Sequence, residues 1–294
     1  RFSNFLNFLE KKNLIDIFEN KKIKNELIKK IKKKKIKIIN KKIKKINFEN
    51  NYIEVEAKKK KYDLFVLCLG ARSNFYEFLN ENRAIQKDYK EVSITGHLKH
   101  NCKFNNPSQF FLKEGPLAIL PFKKNYFSFV WSLKKNYFVE NKKNLEMIIS
   151  KKFRELLKIK SFKITNINFY PIHLNLKKNY SKGNFLVLGE GLHSIHPIAG
   201  QGFNLILRDI IALKEIIYKN LSLGISIKNS FVLNEFFNKR KPENTIFSLG
   251  VDMTNSFFRT NLIPRSMKNL FLNEFSKYES LKKITKIVSN KGFY

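Results

Sequence analysis

One stretch, Phe185 to Asp209 (FLVLGEGLHSIHPIAGQGFNLILRD), limits the possible folds more than any other part of the chain. Asn184 to Leu188 is a short apolar run stopped by glycine, the pattern of a strand buried on both faces in a parallel sheet. A loop then presents Gly189, Gly191, Gly200 and Gly202, with Pro197 among them. A helix is expected from near Gly202, and Phe203 to Tyr218 is amphipathic. Glycines at the carboxyl end of a buried strand let backbone approach a ligand closely. The free N–H groups of the following helix then face that ligand with partial positive charge. Such a site suits an anion, or a polar ring edge that gains negative charge.

Other chemistries fit this stretch less well. Gly189-Glu190-Gly191-Leu192-His193-Ser194 follows a strand and matches most of GxGxxG. Its last position is Ser194, however, and Pro197 falls where the second turn of a phosphate-binding helix should be. His193 and His196 have metal-ligand spacing only on a helix, which Pro197 opposes, and no further His or Cys lies nearby; no metal is expected. A Ser–His–acid triad lacks a nucleophile-elbow context.

Around this stretch the pattern is mixed α/β. Asn25 to Lys35 reads as a basic helix, Ile36 to Ile46 as an edge strand, Tyr52 to Ala57 as a strand and Lys58 to Lys61 as a turn. Tyr62 to Leu69 is a second buried parallel strand, ending at Gly70-Ala71-Arg72-Ser73. Residues 88–135 hold alternating segments (Glu91 to Lys99, Gln109 to Leu112, Ala118 to Phe122, Tyr126 to Leu133) punctuated by Asn, Pro and Gly, which is an antiparallel sheet. Leu145 to Leu157 is helical, Ile164 to Leu176 a strand, and the chain from Ser230 onward mainly helical.

The 294 residues carry 58 Lys and Arg against 24 Asp and Glu, a formal charge of +34. A nucleic-acid footprint is one reading of that balance. Only eight of the basic residues are Arg, though, and it is the arginine fork that reads phosphates and base edges bidentately. Lys, Asn, Ile and Phe all have A/T-rich codons, so genome composition accounts for the charge, and no specific nucleic-acid partner is expected. The Lys-rich run Lys29 to Lys45 is regularly interrupted by apolar residues and reads as a solvated face. Weak attraction to anionic lipid remains. Two cysteines, Cys68 and Cys102, make neither a disulfide framework nor a zinc pattern. No apolar run reaches the length of a membrane span, and no signal peptide is apparent.

Gly189, His193, His196, Pro197, Ala199, Gly200, Gln201, Gly202, Asn204 and Asp209 together resemble the flavin-contacting motif of the ubiquinone-biosynthesis hydroxylases, FAD-dependent aromatic monooxygenases. Other segments follow in the family's order. Glu19 to Leu27 resembles its EN-x-x-LR-x-x-L, Asp63 to Ser73 its second flavin motif DLVVGADGARS, Gly115 to Phe122 its GPLALLPL substrate-sheet motif, Ser128 to Ser132 its S-x-V-W-S, and Lys239 to Asn244 the helix after the flavin loop. Glu190 stands where Asp is usual, Gly191-Leu192 where Ala-Ala is usual, Leu69 where the second motif has Asp, Ile206 where the helix has Gly, and Lys24 where Arg is usual.

The resemblance implies an α/β (α+β) fold. Its core would be an FAD-binding, Rossmann-like domain of the glutathione-reductase type, with an antiparallel substrate sheet and C-terminal helices. It implies a discontinuous, incomplete FAD-binding domain at residues 1–87 and 181–225, an antiparallel substrate-binding domain at 88–180 and a helical region at 226–294. The family's opening strand–GxGxxG–helix, its first βαβ unit, is not in the sequence; the 294 residues are therefore expected to be a fragment that binds FAD poorly and is inactive by itself. FAD would be held by Gly70, Arg72, Gly189, Glu190, His193, Pro197, Gly200, Gln201, Gly202 and Asn204, with Leu117, Ile119 and Pro121 on the substrate side; no catalytic acid or base stands out. Reduced by NAD(P)H or another reductant, the flavin would use O2 to hydroxylate a polyprenylated phenol. A cytoplasmic location is implied, with peripheral contact on the inner face of the membrane through the C-terminal helices and contact with a ubiquinone-biosynthesis complex. Two other readings stay open: an inactive, degenerate paralogue, prompted by Leu69, and a basic nucleic-acid-binding protein.

Overall fold

The computed structural model describes residues 17, 19–71, 73–76, 83–101, 106–260, 262–264, 266–268 and 270. Helix α1 (Asn20–Lys33) leads through an extended stretch to a small antiparallel sheet of β1 (Ile43–Asn47), β2 (Tyr52–Val55) and β3 (Lys58–Lys60). Two sequence expectations are corrected here. Ile36 to Lys42 is not a strand, so pairing starts only at Ile43. Lys58–Lys60 is a strand and not a turn, because the chain reverses one step earlier, at Glu56 and Ala57. Both of those residues have positive φ (49° and 61°), the twist that suits a two-residue hairpin.

The second sheet is where the buried runs meet. β4 (Phe65–Leu67) pairs in parallel with β11 (Phe185–Val187), which pairs antiparallel with β10 (Ser181–Lys182). Phe65 and Phe185 are register partners and their rings stack, with centroids 4.2 Å apart. Phe185, Leu186 and Val187 are fully buried, as their unbroken apolar run requires.

Residues 83–194 build a six-stranded sheet with the order β12-β9-β5-β8-β7-β6. Its strands are β5 (Arg83–His100), β6 (Ser108–Phe111), β7 (Pro116–Lys123), β8 (Tyr126–Lys134), β9 (Phe162–Lys177) and β12 (His193–Ser194). Register fixes its faces. Ile94 opposes Trp131, Trp131 opposes Leu117, and Phe129 opposes Ile119, so these residues share one face. That face packs on α3 (Leu145–Leu157), whose Leu145, Ile149 and Phe153 are buried in the same core. The short α2 (Lys135–Asn141) adds Phe138. The opposite face carries Ser93 against Ser132, and Ala118 against Val130.

Two long helices close the molecule: α4 (Gln201–Ser222) and α5 (Ser230–Arg259), the latter capped by the Asn229 side chain accepting from the Phe231 N–H. In its first turns α5 buries Val232, Leu233 and Phe236 against the parallel sheet and α4. From Arg240 on its buried positions are polar: Arg240, Asn244, Ser248 and Asn255. None of the helices among the described residues is long and apolar enough to cross a membrane.

Candidate functional site

The glycine-rich segment joins the two large sheets. It leaves the parallel sheet at Leu188, passes through a 3-10 turn at Gly189–Gly191, and becomes β12, which pairs with β9 at the edge of the six-stranded sheet (His193 with Leu176, Ser194 with Asn175). A second 3-10 turn, Ile198–Gly200, then delivers the chain to α4.

Three of the expected cofactor residues share one property. Gly70, Gly189 and Gly200 have φ of 78°, 80° and 64°, and a Cβ added at any of them would meet nothing within 4 Å. Their open flanks are therefore not packing cavities of the protein's own core. Gly70 and Gly189 are also neighbours by topology. β4 and β11 are adjacent and parallel, and the Leu188 N–H donates to the Leu67 carbonyl at 3.0 Å, so both turns leave the sheet at its carboxyl end. Ligands in open α/β sheets bind at that end. Gly200 is the N-cap of α4 and no side chain caps the helix, so its first amides stay open to an acceptor. Gln201 and Gly202 are half-buried there, and Asn204 is exposed, donating to the Gln201 side chain at 3.3 Å. Glu190 is exposed beside Gly189, and Pro197 is half-buried. These features fit a flat, polar-edged cofactor. Arg72 lies outside the described residues. Leu69 is 38% exposed beside Gly70, an apolar side chain on a polar turn.

The two histidines point inward and hold the loop from behind. His193 Nε2 lies 2.6 Å from Asp209 Oδ2 on α4, with both groups buried. Asp209 also accepts from Arg240 Nε at 2.7 Å and from Asn244 Nδ2 at 3.1 Å. Arg240 reaches Glu243 and Asn244 as well, and Asn244 donates to the Tyr180 hydroxyl at 3.2 Å. Burial raises the Asp209 pKa, but hydrogen bonds and charge from His193 and Arg240 outweigh it and hold the carboxyl below its usual range.

His196 is tied in the other direction, to the six-stranded sheet. Its Nε2 lies 3.1 Å from Glu91 Oε2 on β5, and its Nδ1 accepts from the Ile198 N–H at 3.2 Å. A ring nitrogen that accepts carries no proton, so the proton sits on Nε2 and is donated to Glu91. Burial pushes the imidazole down to about 4, beyond what the Asp252 carboxylate restores. Arg259, from the end of α5, pairs with the other oxygen of Glu91. Glu91 sits where β5 bulges between Asp88 and Glu91, with Lys90 at φ 51°. Among the described residues there is no group of three side chains able to hold a metal.

Glu91 also identifies the sheet face that looks toward the loop. It shares its side of β5 with Ser93, hence with Ser132, Val130, Ala118 and Leu120 across the register. Leu117 and Ile119, expected on the substrate side, are fully buried on the opposite face under α3, and Pro121, two places further along β7, lies on that same face. β7 begins at Pro116, two places earlier than the Ala118 start that the alternation indicated, and pairing with β8 settles which of its faces is which. The sequence reading also missed Glu91, Arg259, Tyr180 and Tyr76 as site residues.

The fold is that of FAD-dependent monooxygenases: solved structures sharing it include p-nitrophenol 4-monooxygenase of Pseudomonas putida (TM-score 0.73 at 15% identity) and a flavin-dependent halogenase (TM-score 0.65 at 11% identity). The model of the squalene epoxidase family matches residues 134–282, about half of the chain, and the chain belongs to this family of FAD monooxygenases. Among curated relatives, ubiquinone biosynthesis monooxygenase COQ6 of Dictyostelium discoideum is 25% identical over 217 residues, covering 60% of this chain and 42% of that protein. The 3-demethoxyubiquinol 3-hydroxylase of Escherichia coli is 31% identical over 171 residues, covering 56% and 43%. Klebsiella pneumoniae HpxO, solved with FAD and uric acid, superposes with a TM-score of 0.68 at 13% identity over 92% of this chain and 71% of that one. The chain spans less than half the length of the two curated relatives.

Proposed function

We propose that the protein is an FAD-dependent monooxygenase that hydroxylates the aromatic ring of a polyprenylated phenol in ubiquinone biosynthesis. The observation that carries the reading is the pair of open, positive-φ glycine turns, Gly70 and Gly189, side by side at the carboxyl end of one parallel sheet, with the uncapped start of α4 completing the rim. Bound FAD, reduced by NAD(P)H or another donor, would supply the oxygen chemistry. The chain's own residues bind and orient. Gly189 and Gly70 admit the cofactor to the backbone, Glu190 accepts hydrogen bonds from sugar-like hydroxyls, and amides from Gly200 to Asn204 stabilise negative charge on the pyrimidine edge. His193 and His196 fix the loop through buried partners without touching the ligand. Ala118, Val130 and Leu120 offer the loop an apolar sheet face on which a phenol ring can lie. The names of the COQ6 and 3-demethoxyubiquinol 3-hydroxylase relatives support the substrate class. An apolar polyprenyl tail also supports peripheral contact with a membrane.

The test is isotope transfer. The intact gene product, supplied with FAD, reductant, a short-chain prenylated phenol and 18O2, is expected to give a phenol heavier by one 18O atom. Label that enters squalene, offered in a parallel reaction, and not the phenol would replace the substrate class; flavin-free protein that gives no labelled product would support the inactive paralogue.

A further inference from the structure

We propose that Tyr76 is a positioning residue that locks the Gly70 and Gly189–Gly191 turns together at the spacing the cofactor needs; this rests on reading those turns as the flavin site. Ser73 starts the arrangement. Its Oγ accepts from the Phe75 N–H at 3.3 Å and its carbonyl from the Tyr76 N–H at 3.2 Å, winding Asn74–Tyr76 into a 3-10 turn that sends the ring of Tyr76 back over the end of β4. The ring is buried, with 2% exposure. Its hydroxyl accepts from the Leu69 N–H at 2.7 Å and lies 3.5 Å from the Leu67 carbonyl, the oxygen that also accepts from the Leu188 N–H of the neighbouring strand.

The other side of the ring rests on Gly191. A Cβ built there would lie 2.5 Å from Tyr76 Cε2 and Cζ and 2.6 Å from its hydroxyl oxygen, closer than real atoms approach. Gly191 is therefore glycine because the Tyr76 ring occupies the space of its side chain. Two departures from the motifs the chain resembles thus meet at one residue. Leu69 gives the second turn no polar side chain, and the Tyr76 phenol supplies the polar group beside that turn. Gly191 stands where alanine is usual, and the ring fills the gap. Burial raises the phenol's pKa, so the hydroxyl keeps its proton and remains available to the Leu67 carbonyl. One side chain then spans two turns that leave register-partner strands 120 residues apart (Leu67 with Val187, Phe65 with Phe185), hydrogen-bonding the first and packing on the second.

The experiment compares wild type with Tyr76→Phe, Tyr76→Ala, Gly191→Ala and the Gly191→Ala/Tyr76→Ala double variant in the intact gene product. It reads amide hydrogen exchange at Leu69, Gly70 and Gly189 to Leu192, with and without FAD, and the FAD dissociation constant by fluorescence. Tyr76→Phe keeps the ring, so the fold should hold. Exchange at the Leu69 amide should accelerate, and FAD affinity fall, each by about tenfold, the scale of one lost hydrogen bond. Gly191→Ala should weaken FAD in the wild-type background and have no further effect in the Tyr76→Ala background, since the clash partner is gone. Unchanged Leu69 exchange in Tyr76→Phe, or an equal Gly191→Ala loss in both backgrounds, would overturn the role of Tyr76 alone. FAD that binds without slowing exchange at either turn would overturn the site itself.

Discussion

The neutral, buried imidazole of His196 makes stability depend on pH in a way a single substitution should remove. In the folded protein its pKa lies at about 4 against an ordinary 6.5, because burial disfavours the imidazolium and outweighs the pull of Asp252, with Lys87 acting in the same sense as burial. The groups around it are Glu91, Arg259 and the Tyr89 ring, which meets it edge-on at 5.1 Å. Unfolded chains take up this proton near pH 6.5 and the folded protein only near 4. Stability from this residue is therefore complete above about pH 6.5 and falls by about 1.4 kcal/mol per pH unit below it, reaching a loss of about 3 kcal/mol near pH 4. His196→Gln keeps a donor for Glu91 and does not titrate, but it leaves the Ile198 N–H without its acceptor. At pH 7 the variant should be less stable by about 1–3 kcal/mol, the cost of an unsatisfied buried donor. Urea denaturation at intervals from pH 7 to 4.5 should show this gap closing as pH falls, because only wild type suffers the protonation penalty. Comparing the two proteins cancels the carboxylates they share. A gap that stays constant across the range would refute the reasoning, whatever the absolute slopes.

Two further substitutions probe the site from other sides. Gly189→Ala should cost about 1–2 kcal/mol through its left-handed backbone, with no clash to add, and should weaken FAD far more than chemical denaturation registers; an unaltered FAD dissociation constant would exclude Gly189 from the rim. Arg240→Lys keeps the charge but cannot serve Asp209, Glu243 and Asn244 together, and a loss of about 1–3 kcal/mol by denaturant titration is expected; a midpoint equal to wild type would show that charge alone suffices.

The buried parallel strands, the antiparallel sheet, α3 and the start of α4 were legible because each announces itself locally, through apolar runs, alternation or glycine. The glycines of the candidate rim were legible for the same reason. What the sequence could not show is which distant groups meet. Glu91 reads as one more polar residue in an alternating strand, and only the β5 bulge and the fold bring it to His196, 105 residues away. The motif contains His193 and His196, and the resemblance implied only that His193 would help hold the cofactor. In the structure the strand β12 separates their directions, one toward α4 and one toward β5. Leu117 and Ile119 fit a substrate-sheet motif as text, but the period-two alternation of β7 offers its two faces equally until a partner strand fixes the register.

The charge composition carries more information than a net value of +34 conveys. If A/T-rich codons turn basic residues toward Lys wherever Lys suffices, the arginines that remain should sit where a planar fork is needed. Three of the four whose side chains are described behave that way, and the fourth, Arg259, makes a single ion pair. Arg154 lies over the Phe162 ring at 5.6 Å and Arg208 over Phe247 at 5.1 Å. Arg240 divides its nitrogens among Asp209, Glu243 and Asn244, and Arg259 pairs with Glu91. Stacking and divided hydrogen bonding are what an ammonium does poorly. Two of the four arginines close the networks behind the glycine loop, one on each histidine's carboxylate. In a lysine-rich chain, scarce arginine therefore points to the second layer of the site, which the glycine motif alone does not reveal.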